Sequence, residues 1–281
     1  MERCGRPALA AQTGNMDYEQ TELYFLKRDL LTRFGEEEGA KIFAGASKLY
    51  TELYVTTDYR GSKTLETQMK RLVLPVIALY KTLCMHGYRK ASALGLMRTL
   101  TERAAQNTAD ILAAQMRKIT PFRAFRRNIR NFMEYKFPSA GGWQCGGLET
   151  DGRNISFRIE ECLYRSISAR FGCAELCAVF CDYERIAFAG LLPKIEFSCG
   201  GRLSEGHDFC AFSFKKGAKQ KSGAKKKPNV CNFGCIAQFD MCRNIAVAYK
   251  YFDNKVVNQF LLIVLVGGVA LQKVGNKFEY V

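Results

Sequence analysis

Apolar positions recur at helical spacing through the first half of this chain and then switch to strict alternation. Tyr18, Leu23, Phe25, Leu26, Leu30, Leu31 and Phe34 predict a helix that Gly35 closes. Glu36 to Tyr54 follows with an apolar stripe of Ile42, Phe43, Ala46, Leu49 and Leu53. Asp58-Tyr-Arg-Gly-Ser62 is a turn-rich break. Pro75 suits the first turn of a helix, where its missing N–H costs nothing, and that helix runs to Met85 with Gly87 behind it. Tyr88 to Ile119 reads as a long helix rich in Ala, Leu and Met. Thr120-Pro121 starts an amphipathic, basic segment ending at Lys136, with Phe122, Phe125, Ile129 and Phe132 on one face. Arg123, Arg126, Arg127 and Arg130 lie mostly off that face, as a solvated surface or as an anion or membrane-surface contact.

Pro138-Ser-Ala-Gly-Gly142 marks a boundary. Beyond it Ile155, Phe157 and Ile159 alternate with polar neighbours, as in a half-buried strand, and Trp143 to Leu148 can pair with them across Asp151-Gly152. Cys162 to Phe171 and Cys173 to Ala187 read as helices separated by Gly172. Ile195, Phe197 and Cys199 alternate, and Cys210, Phe212 and Phe214 form their antiparallel partner. The order β-β-α-α-β-β predicts an α+β protein: an N-terminal helical region, then a small antiparallel sheet with helices packed on one face.

The expected organisation is an extension over 1–16, a helical region over 17–137 and an α+β region over 138–216. A basic low-complexity linker and tail follow over 217–281. Lys215 to Pro228 is too lysine-rich to bury a core, so the tail is expected to be poorly ordered and dispensable. Of the net charge of +15, +9 falls from Lys215 onward, with twelve Lys and Arg against three Asp and Glu. The basic balance therefore belongs to the tail, and no nucleic-acid partner is expected for the folded part. The longest apolar run, Phe260 to Leu271, is twelve residues, short of the ~18–20 of a membrane span. With no apolar leader at the start, the chain reads as cytoplasmic, with no membrane partner. Its twelve Cys then read as reduced thiols, most of them small buried apolar side chains.

Cys173, Cys177 and Cys181 are spaced i, i+4, i+8, one stripe on a helix, and Cys162 stands at the strand-to-helix junction before them. Three readings stay open: a core-facing stripe, a zinc site, or one thiol acting as a nucleophile. The helix dipole would favour thiolates at Cys173 and Cys162. Glu175 and Asp182, seven apart, share a face and could grip an amidinium through parallel hydrogen bonds. Asp208 is a turn residue. His86 fits a helix cap, and His207, in a polar loop, is a candidate acid–base group. No phosphate loop and no serine-hydrolase elbow is present.

The order Cys162-Leu-Tyr164, Cys173-Ala-Glu-Leu176, Phe180-Cys-Asp182, Gly190-Leu-Leu-Pro193, Gly206-His-Asp208 and Cys210-Ala-Phe-Ser-Phe214 resembles the L-2-amino-thiazoline-4-carboxylic acid hydrolase family. Leu74-Pro-Val-Ile-Ala-Leu-Tyr80 is similar to that family's N-terminal half, and the resemblance covers about residues 20–216. It departs at His207 and Ala211, and the tail has no counterpart. The matching positions are Cys162, Glu175, Cys181, Asp182, Asp208, Cys210, Phe212 and Phe214.

The resemblance implies a hydrolase of cysteine metabolism that opens a 2-aminothiazoline ring to N-carbamoyl-cysteine. In that scheme a thiolate at Cys181 or Cys162 attacks C2, or a metal-bound water on zinc or manganese does so. Glu175 or Asp182 holds the amidinium, Arg158 or Arg165 takes the carboxylate, and Asp208 and Cys210 line the binding site. A competing expectation is a non-catalytic sensor of a small molecule or metal with a Cys-lined pocket, since fold does not fix function.

Overall fold

The helical spacing of the first half produces helices, and the alternation of the second produces a sheet. The computed structural model describes residues 16–116 and 120–218, together with the backbone of two short strands near the C-terminus. The expectations for the N-terminal extension and the basic tail fall largely outside those residues.

Helix α1 (Leu26–Phe34) is separated from α2 (Glu36–Thr56) by Gly35 at φ +82°, a conformation open to glycine. Helix α3 (Lys63–Gln68), whose N-cap Ser62 accepts from the Leu65 N–H, is not predicted by the apolar spacing above. Nor is the π-helical turn Met69–Val73 that joins α3 to α4 (Leu74–Met85). Pro75 therefore sits inside a continuous helical run and offers no N–H to the turn before it. Two carbonyls of that turn are satisfied from outside: Lys70 O accepts from the Tyr50 hydroxyl at 2.7 Å and Arg71 O from the Glu22 N–H at 2.8 Å. Every residue from Leu74 to Tyr80 is buried, as expected of a helix apolar all round.

Helix α5 (Lys90–Gln115) follows. The basic segment forms two helices, α6 (Pro121–Arg127) and α7 (Ile129–Lys136), rather than one. The Asn128 side chain donates to Ala124 O at 3.0 Å, the local competition that makes Asn a poor helix-interior residue.

Strands β1 (Gln144–Thr150), β2 (Asn154–Glu161), β3 (Ile195–Gly200) and β4 (Cys210–Lys216) form one antiparallel sheet of order β1-β2-β4-β3. Phe157 pairs with Phe212, and Phe197 with Phe214. Alternation puts Ile155, Phe157, Ile159, Ile195, Phe212 and Phe214 on the buried face, while Arg158 and Glu196 are on the open one. Helices α8 (Leu163–Arg170) and α9 (Leu176–Ala189) connect β2 to β3, and α9 packs between the sheet and α5. One hydrophobic core runs through helices and sheet alike. Gly190 ends α9 against α5 so closely that a Cβ there would lie 2.0 Å from Ala109 O. Strands β5 (Leu271–Val274) and β6 (Lys277–Tyr280) form a separate antiparallel pair.

Candidate active site

Helix α9 begins three residues later than its apolar pattern suggests. Cys173 therefore lies in the turn before it, and the helical thiol stripe is Cys177 and Cys181 alone. At about 100° per residue, Cys177, Cys181 and Glu184 fall within about 60° of one another, on the side of α9 facing the sheet. Glu175 and Asp182 lie more than about 100° from that stripe.

Across from it, β3 and β4 carry Cys199 and Cys210 on the buried face. Cys199 is opposite Phe212, so Cys210 is its diagonal neighbour. Cys162 N-caps α8 at the end of β2. These elements enclose a cavity of about 30 Å³ lined by Cys162, Cys181, Cys199 and Cys210 together with Trp143, Tyr164, Glu184, Arg185 and Arg202. That is room for a water molecule, so a ligand enters only when the wall moves.

One wall of the cavity is the β3–β4 connection. It is tied to the rest of the protein by Cys181 Sγ to Ser204 Oγ at 3.5 Å, the Leu203 N–H to Cys210 Sγ at 3.3 Å, Arg202 to Asp182 at 3.7 Å, and the buried Leu203 side chain.

The thiols divide into holders and held. Cys177 keeps its proton, its pKa raised first by hydrogen bonding with Cys162, then with Cys181, and by burial. Cys181 is correspondingly lowered, by the bond from Cys177 first and from Ser204 second, against the opposing effect of burial. Cys210 is lowered to about 7, with the Cys199 S–H as the largest cause and the Leu203 N–H assisting, again against burial. Cys199 also lies 3.3 Å from Gly201 O, so its single proton is shared between that oxygen and Cys210. The Leu203 N–H has no such competitor and adds a second, backbone donor. Cys173 does not gain from the helix dipole as expected: burial pushes it up to about 11.

The expected site residues separate accordingly. Cys162, Cys181 and Cys210 line the cavity. Glu175 does not; it binds the Tyr80 hydroxyl, which holds its carboxyl below the usual range. Asp182 turns outward to Arg185 and Arg202, each at 3.7 Å. Arg158 is on the open face of the sheet, 3.4 Å from Glu160 and over the Phe209 ring, opposite in direction to its neighbour Ile159. Arg165 is exposed on α8, and Asp208 and His207 are exposed in the β3–β4 connection. His86 is the C-cap of α4, its Nδ1 3.2 Å from Glu38.

Glu184 is the residue that sequence reasoning missed. It is 5% exposed and is the one buried Asp or Glu among the described residues. Its Oε1 accepts from the Tyr164 hydroxyl at 3.1 Å and pairs with Lys136 Nζ at 3.0 Å. The signal for it was available as the i, i+4, i+7 spacing with Cys177 and Cys181. Among the described residues no three His, Cys, Asp or Glu are arranged to hold a metal ion.

Fold and cavity define an α+β protein whose thiol-lined pocket lies between one helix and a four-stranded antiparallel sheet. The chain belongs to the L-2-amino-thiazoline-4-carboxylic acid hydrolase family, whose profile matches residues 66–214. That span runs from α3 to the end of the β4 face and contains every residue lining the cavity. No curated protein and no solved structure matches the chain. Among the described residues no helix is long and apolar enough to cross a membrane.

Proposed function

We propose that the chain hydrolyses a small cyclic isothiourea such as L-2-amino-thiazoline-4-carboxylate, opening it to N-carbamoyl-cysteine. The observation that carries this reading is Cys210: a thiol held near neutral ionisation by donors at the wall of a cavity, in a member of this family. Cys181 and Cys162 line the same cavity. Cys210 is preferred as nucleophile because a backbone N–H supports its thiolate, whereas Cys181 depends on other side chains.

The Cys210 thiolate adds to C2 of the ring. Collapse of the adduct breaks the bond from C2 to the ring sulfur, which leaves as a thiol and leaves an isothiourea on Cys210. Water then attacks that carbon and releases the Cys210 thiolate. The water oxygen becomes the urea carbonyl, and its two hydrogens end on the ring sulfur and the ring nitrogen. No metal is required for this balance.

The test is mass-spectrometric turnover by the full chain. Product one water heavier than the substrate is expected, with turnover lost in Cys210→Ala. A folded chain that forms no product would refute the hydrolase reading, and tight binding without turnover would favour a sensor. A Cys210→Ala variant with undiminished turnover would remove the thiol from the reaction.

A further inference from the structure

One polar atom at the cavity is buried and has no partner. Trp143 is 3% exposed and lines the cavity, and its indole N–H makes no hydrogen bond. The hydrogen bond and the ion pair of Glu184 both run to Oε1, leaving Oε2 without either among the described residues. A buried donor without a partner is costly inside a protein, and the indole N–H and the unused carboxylate oxygen are both attachment points for a ligand.

Both groups are rigidly held. Tyr164, which anchors Glu184, stacks on Phe180 at 5.0 Å and meets Trp143 edge-on at 4.9 Å. Trp143 also packs edge-on against Phe137 at 5.0 Å. A purely structural account of Glu184 is weak, because a buried ion pair stabilises little that an apolar pair would not. Arg202 adds the third element: it lines the cavity, and its present carboxylate neighbours stand at 3.7 and 3.4 Å, too far for good charged hydrogen bonds.

We propose that Glu184, Trp143 and Arg202 select a zwitterionic ligand. Glu184 Oε2 accepts from the ligand's amidinium, and the Trp143 N–H and the Arg202 guanidinium bind its carboxylate. This rests on the ring-opening reading and assigns to Glu184 the grip expected of Glu175 or Asp182, and to Arg202 the one expected of Arg158 or Arg165. Phase explains both exchanges: Glu184 is on the cavity side of α9 and Arg202 on the connection that closes it, while Arg158 is on the far face of the sheet. The cavity as it stands has room for about one water, so binding on this reading requires its wall to widen around the ligand.

The test measures dissociation constants for three ligands in a Cys210→Ala background, with turnover by the full chain followed in parallel. The ligands are 2-amino-thiazoline-4-carboxylate, 2-amino-2-thiazoline, which lacks the carboxylate, and thiazolidine-4-carboxylate, which lacks the amidine. Glu184→Gln is expected to weaken both amidine ligands at least about tenfold and to leave thiazolidine-4-carboxylate unchanged. Arg202→Met and Trp143→Phe are expected to weaken the two carboxylates by a similar factor and to leave 2-amino-2-thiazoline unchanged. Equal loss for all three ligands, or no loss, would overturn the proposal while turnover by the unaltered chain kept the hydrolase reading intact. Absence of both binding and turnover in the unaltered chain would sink the two together. Should Glu184→Gln fail to fold, the partly exposed Arg202 still decides: an unchanged preference for the carboxylate in Arg202→Met overturns the proposal.

Discussion

Replacing Cys199 by Ala should change how Cys210 reacts with pH, and the size of the change follows from the site. Cys210 is lowered from 9.0 to about 7, chiefly by the Cys199 S–H. At neutral pH about half of Cys210 is thiolate, against about 1% for an unshifted thiol. A thiolate of lower basicity is also a weaker nucleophile, by about eightfold for two pKa units at a Brønsted slope near 0.45. The net advantage at pH 7 is therefore only about sixfold. An absolute rate would be hard to interpret, because deleting a side chain also opens access.

The ratio of alkylation rates at pH 10 and pH 7 is free of that difficulty. In the unaltered chain it should be about 2, because Cys210 is already half ionised at pH 7. In Cys199→Ala, with the largest lowering cause gone, it should rise well above 2, toward the roughly 90 of an unshifted thiol. The sign follows from ionisation: an acid with a depressed pKa completes its titration early and gains little from further alkali. The assay is iodoacetamide labelling with peptide-level mass spectrometry, so that Cys210 is read apart from the other thiols. Cys199→Ser, which keeps a donor, should restore a low ratio. A ratio near 2 in Cys199→Ala would refute Cys199 as the main support of the thiolate and leave the Leu203 N–H with that role.

Gly190→Ala should lower stability by about 3 kcal/mol or more, because the new Cβ would sit 2.0 Å from the Ala109 carbonyl and force α9 off α5. Thermal unfolding should show a drop of about 6–12 °C, and an unchanged midpoint would mean that the helices are less closely packed than described. Arg158→Ala and Arg165→Ala should each leave kcat/KM within about twofold of the unaltered chain, since neither side chain reaches the cavity. A hundredfold loss in either would place the ligand on a different surface.

Periodicity alone determined most of the elements. The spacing of Ile42, Ala46 and Leu53 buried one face of α2, and the alternation of Ile155, Phe157 and Ile159 buried one face of β2. The α+β class followed from element order, because two hairpins flanking two helices leave the sheet one face to cover. Helix 63–73 escaped because its apolar positions are few and its turn is π-helical, held by Tyr50 and Glu22 from distant parts of the chain. The break at Asn128 rests on a side-chain hydrogen bond that composition does not reveal.

For the candidate site, the sequence by itself determined that the thiols of α9 and of the β3–β4 hairpin are close enough in order to converge. It also carried the resemblance that names the family. Which charged groups join those thiols was decided only by the tertiary structure. Glu175, Asp182 and Glu184 are chemically equivalent carboxylates within ten residues, and they differ only in helical phase relative to a sheet that is built from residues elsewhere in the chain. A register of strands sent Arg158 outward and Cys210 inward, and a turn between strands brought Arg202 back over the cavity. Direction in space is set by long-range packing, so the residue types could be read along the chain, but their partners could not.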